Sequence, residues 1–104
     1  MYELSRNRFK ELKHFCLQYP EKKERITELM HDISRKGKDP TAEVASELAD
    51  LIYAVKLIEK TANDIGKFPG DKILKVVTED VCRGEVCEFY IRKFYWLLSE
   101  RKGV

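Results

Sequence analysis

The chain has 104 residues, 43% hydrophobic and 37% charged, which suits a single folded domain over residues 1–104 and excludes a disordered chain. A formal net charge of +2 falls far short of the basicity typical of strong nonspecific nucleic-acid binders. No apolar run matches a bilayer's thickness and the Met1 region lacks a signal-peptide core. A cytoplasmic protein with no membrane partner is therefore expected, its three cysteines reduced.

Phe9, Leu12, Phe15, Cys16 and Tyr19 recur at three- and four-residue steps and predict a first helix over residues 4–18. Pro20 ends it and suits the first turn of a second helix, where its missing N–H costs nothing. That helix carries Ile26, Leu29, Met30 and Ile33 through residue 36, and Lys36-Gly37-Lys38-Asp39-Pro40 breaks it. Thr41 stands at the next start, with Glu43 and Glu47 suited to the positive end of a helix dipole. Val44, Leu48, Leu51, Ile52, Val55, Ile58 and Ala62 then keep one stripe for about six turns. This longest helix outruns the cover its neighbours can give, which points to a homodimer built through it.

Asn63 to Gly70, with Gly66, Pro69 and Gly70, is expected to stop the long helix, and Asp71 to cap a short one bearing Ile73, Leu74, Val76 and Val77. A last helix is expected from near Gly84 to Lys102. No stretch alternates with a period of two between hairpin turns. The reading is all-α: a compact bundle of about five helices with one long central helix.

The closing segment carries the strongest functional signal. Cys82-Arg83-Gly84-Glu85-Val86-Cys87 leads to Arg92-Lys93-Phe94-Tyr95-Trp96-Leu97-Leu98, a Gly-containing turn followed by a helix both aromatic and basic. A helix-turn-helix module delivers its recognition helix in this way, and a terminal helix closing a bundle has the same pattern.

Several stretches together resemble small proteins encoded by phages and prophages of Gram-positive bacteria. The resemblance runs in order through Phe9–Pro20, Asp39-Pro40-Thr41-Ala42, Leu57–Ala62, Ile73–Glu79 and Arg92–Leu98. Those proteins look like phage transcriptional regulators whose C-terminal part is similar to sigma-factor region 4. The resemblance implies contact with promoter DNA or host RNA polymerase in the bacterial cell. One departure stands out. Thr78-Glu79-Asp80-Val81 runs almost directly into Cys82, so the helix expected before the turn is shortened or merged with its predecessor.

On that reading Arg83, Arg92, Lys93, Arg101 and Lys102 contact phosphates or base edges and Tyr95 joins the contact face, while Phe94, Trp96 and Leu97 fix the helix to the body. Glu85 and Glu88 oppose it, because a recognition helix offers its leading residues to the groove.

The same helix suits a protein-binding inhibitor of a host or defence complex, similar in kind to anti-CRISPR proteins. Tyr2, Tyr19, Phe68, Tyr90, Tyr95 and Trp96 exceed what a core of this size needs, and surplus aromatics beside Arg92 make a contact patch.

Two further readings concern metals. Glu24 and Glu28 on one helix and Glu47 and Asp50 on another resemble the carboxylates with which MazG-like all-α nucleoside-triphosphate pyrophosphatases hold Mg²⁺. Arg25 and Thr27 interrupt the first pair, and solvated charges explain the pattern more simply. Cys82 and Cys87 with His14 or His31 have looser spacing than a zinc knuckle, and apolar-face cysteines are usually small hydrophobes. The two histidines lack a nucleophile context and the scattered glycines form no phosphate loop. Hence no enzyme, cofactor or metal is expected.

Overall fold

The computed structural model describes residues 3–37, 39–79 and 88–102, with residues 67–69 as backbone only. Every regular element among them is a helix: α1 (Arg6–Leu17), α2 (Tyr19–Lys36), α3 (Ala42–Ile65), α4 (Lys67–Glu79) and α5 (Glu88–Lys102). The all-α reading holds. The turn Cys82–Cys87, Arg83 and the expected helix start at Gly84 lie outside the described residues, as does Tyr2.

Local chemistry sets most boundaries. Ser5 caps α1 by accepting the Arg8 N–H at 3.2 Å, and Thr41 caps α3 by accepting the Val44 N–H at 3.3 Å. Only Gln18 separates α1 from α2, with Pro20 in the first turn of α2. Gly37 ends α2 at φ +63°, its N–H bonded to the Ile33 carbonyl, a left-handed close that favours glycine.

The expected break over Asn63–Gly70 is narrower than its composition implies. Gly66 alone is non-helical, and α4 takes in Pro69, Gly70 and Asp71. Pro69 falls in the first turn, where no intrahelical donor is needed. Gly70 is there for close approach: a Cβ at this position would stand 2.8 Å from the Ala62 carbonyl oxygen of α3.

The core draws on every helix. Leu12 and Cys16 of α1 and Tyr19 of α2 meet Val55, Ile58, Ala62 and Ile65 of α3. Ile73, Val76 and Val77 of α4 join Ile91, Phe94, Tyr95 and Leu98 of α5. Each large apolar side chain buried there contributes roughly 1.5–3 kcal/mol. The buried hydroxyls of Thr61 and Thr78 donate at 2.6 Å to the carbonyls of Leu57 and Leu74, so neither is left unsatisfied.

Burial stops partway along α2 and α3. Between Arg25 and Tyr53, Leu29 is the one buried residue among those described. The two helices pack on each other and project as an arm, while α1, α4 and α5 pack around the C-terminal half of α3. The body accordingly measures 49 × 28 × 20 Å.

Candidate interaction surfaces

The α5 helix is first a packing element. Ile91, Phe94, Tyr95 and Leu98 recur at three- and four-residue steps and are buried against α1, α3 and α4. Tyr95 makes edge contacts with Phe9 and Phe94, ring centroids 5.0 and 5.4 Å apart. Only 1% of Tyr95 is exposed, so the expectation that it belongs to a contact face is corrected. Its place on the inward stripe, one turn before Ser99, puts the ring under α1.

The basic residues of α5 are not gathered on one face. Arg101 bonds the Asp64 carboxylate and, at 3.2 Å, the Thr61 hydroxyl, closing the end of α5 onto the end of α3. Its guanidinium, together with the Lys60 charge, holds the Asp64 carboxyl below the usual carboxylate range. Lys102 places its ammonium 4.6 Å from the centre of the Phe15 ring. Lys22 lies over the same ring at 4.3 Å, and burial, then the Lys102 charge, lowers its pKa. Arg92 is 65% exposed and sits 3.7 Å from Glu88 one turn earlier, while Lys93 is half-buried. Arg92 and Arg101 are nine positions apart, roughly 13 Å along the axis. Phe89 and Tyr90 are exposed at the start of the helix and stack edge to face. Trp96 and Leu97 are half-buried; of the other aromatics expected in surplus, Tyr19 and Tyr95 are buried, Tyr90 is exposed, and Tyr2 and the Phe68 side chain lie outside the described residues.

Of the four carboxylates expected to hold a metal, Glu28 and Glu47 meet an arginine instead, and Glu24 and Asp50 are exposed. Arg25 bonds Glu47 across the α2–α3 gap at 2.9 Å and Glu28 along α2 at 3.3 Å, and both partners raise its pKa. Glu24 and Glu28 line an open surface depression with Thr27, His31 and Asp32. Among the described residues, no three His, Cys, Asp or Glu side chains converge as a metal site requires. Cys82 and Cys87 fall outside those residues. Cys16 is enclosed in the core, and burial pushes its thiol up to about 12 against the opposing charge of Lys22. His14 is exposed, with Gln18 Nε2 at 3.1 Å from its Nε2.

What sequence reasoning missed is the arm. A groove of about 340 Å³ runs between α2 and α3, floored by Ile26, Ile52 and Val55 and rimmed by Lys23, Thr27, Lys56 and Glu59. Glu59 is occupied by the Tyr19 hydroxyl at 2.5 Å; Tyr19 is raised in pKa by burial and by this carboxylate. Two lysines against one carboxylate leave the rim net positive. Met30 stands near the groove on α2, 53% exposed, and Tyr53 on α3 is 62% exposed. One signal was available: Leu51-Ile52-Tyr53-Ala54-Val55 is apolar without interruption, more than one helix face can bury.

Among the described residues, no helix is long and apolar enough to cross a membrane. No family model, no curated protein and no solved structure matches this chain.

Proposed function

We propose that this is a protein-binding module of phage or prophage origin, which inhibits or redirects a host complex by seating a partner helix in the α2–α3 groove. The observation that carries the reading is the groove between α2 and α3, where the half-buried Ile26 and Ile52 lie over the buried Val55 and Met30, 53% exposed, follows one turn along α2. The floor suits the apolar face of an amphipathic helix, and Lys23 and Lys56 favour acidic residues on its flanks.

The promoter-reading alternative would act through Arg92 and Lys93, because Arg101 and Lys102 are engaged on the protein's own surface. The pyrophosphatase alternative would require Glu28 and Glu47 to leave Arg25. Neither gains a specific observation from the geometry.

Affinity capture from bacterial host lysate, with and without nuclease, tests the reading. A protein retained after nuclease treatment, lost with Met30→Asp and with Lys23→Glu plus Lys56→Glu, is the expected result. Retention that nuclease abolishes would overturn it in favour of nucleic-acid binding. Retention unaffected by the groove variants would move the contact elsewhere.

A further inference from the structure

A second surface of the arm has its own logic. Successive helical residues are offset by about 100°, so the five apolar residues Leu51–Val55 encircle α3 completely. Ala54 and Val55 are buried and Leu51 and Ile52 are half-buried, which leaves Tyr53 facing outward, away from the groove. Ser46, Ala49, Asp50, Lys56 and Lys60 share its side of the helix at three-, four- and seven-residue steps, and all are exposed. The small Ser46 and Ala49 allow a second backbone to come close on one side of Tyr53.

Charge identifies the occupant. Glu47 and Asp64 are paired with Arg25 and Arg101, while Glu59, still charged as it accepts the Tyr19 hydroxyl, is half-buried on the groove side of α3. The acids left on the exposed part of α3 are Glu43 and Asp50, both before Tyr53. The bases are Lys56 and Lys60, both after it, Lys60 lying near the Asp64 already taken by Arg101. Opposite charges thus occupy opposite halves of one helix face with an aromatic ring between them. The complement of such a face is the same face reversed.

We infer that the protein forms a homodimer in which the α3 helices of two copies cross antiparallel about a two-fold axis beside Tyr53. The acidic half of each helix then lies over the basic half of the other, and the two Tyr53 rings meet at the centre. An isologous contact of this kind is what two-fold symmetry requires. A parallel pair would instead stack acid on acid and base on base. The contact takes in Lys56, which also rims the α2–α3 groove, and leaves Lys23, Ile26 and Thr27 outside it.

Sedimentation equilibrium of the full chain tests the inference. The wild type should have twice its 12.3 kDa chain mass. Tyr53→Glu should weaken association by about 100-fold, the scale on which an aromatic at an interface centre acts. Lys56→Glu with Lys60→Glu should also give monomer, and adding Glu43→Lys with Asp50→Lys should restore the dimer. In a Cys82→Ser, Cys87→Ser background, Tyr53→Cys should cross-link to itself under oxidation and Lys60→Cys should not. A monomeric wild type at about 100 μM, no rescue by the charge reversal, or self-cross-linking of Lys60→Cys would each overturn the proposal. Met30→Asp should leave the mass unchanged, which keeps this result separate from that of the groove.

Discussion

Arg101 at the end of α5 reaches Asp64 at the end of α3, and the same guanidinium bonds the Thr61 hydroxyl. The contact joins residues 37 positions apart in sequence and fastens the terminal helix to the central one. Arg8 adds a second fastening from α1, donating to the Ser99 hydroxyl at 2.9 Å and to its carbonyl at 3.3 Å.

Arg101→Ala should therefore lower the melting temperature, whereas Arg92→Ala should leave it nearly unchanged. Arg92 makes a long, exposed pair along its own helix, a kind usually worth about 0.3–0.5 kcal/mol. The Arg101 change also removes a donor from Thr61. Because Asp64 has a depressed pKa, its contribution is present above the ordinary carboxylate range and fades as pH falls through the lowered value. Thermal melts at pH 7 and pH 3 should show the two variants converging at the acid end. Equal melting temperatures at pH 7 would contradict this.

Gly70→Ala should destabilise the protein by about 1–3 kcal/mol, the usual cost of overpacking. On helix propensity alone the same change would stabilise by about 1 kcal/mol. The predicted sign follows from the Ala62 carbonyl, which a Cβ would meet at 2.8 Å and which belongs to backbone that cannot rotate aside. Urea denaturation decides the sign directly.

Tyr95→Ala should cost about 3–5 kcal/mol, as for other large aromatics removed from a core. Loss of any partner binding in this variant should accompany loss of helical circular dichroism. A folded Tyr95→Ala protein that had lost only binding would show that the ring does act at a surface.

Cys16 should resist thiol reagents until the protein unfolds. In a Cys82→Ser, Cys87→Ser background, native labelling at pH 8.5 should be at least about 100-fold slower than labelling in denaturant. The folded thiol is pushed up to about 12, while an unfolded one ionises near 8.5. Stability is thus complete below about pH 8.5 and declines as pH rises toward the folded value. By pH 10 Cys16 should have cost about 2 kcal/mol, and Cys16→Ala should show a shallower decline. Tyr19, also raised, acts in the same direction at higher pH.

The all-α character and the boundaries at Pro20, Gly37 and Thr41 follow from local sequence alone. The start of α1 is less legible: its apolar pattern points to residue 4, whereas Ser5 caps a helix that begins at Arg6. Thr41, Pro20 and Gly37 were legible because capping, proline tolerance and left-handed closure act over three or four residues. The inward stripe of α3 was legible for the same reason. The other features arise from long-range packing. Gly70 reads locally as a helix stop and is in fact a contact surface, because the Ala62 backbone lies against it. Tyr95 and Arg101 read as surface chemistry, yet one is enclosed by Phe9 and Phe94 and the other bridges to α3. Burial and ion pairing depend on neighbours that are distant in the chain, and a periodic pattern shows only that a side chain has an apolar side. Which side stays uncovered, at Met30 and Tyr53, followed from where α1, α4 and α5 end along the arm.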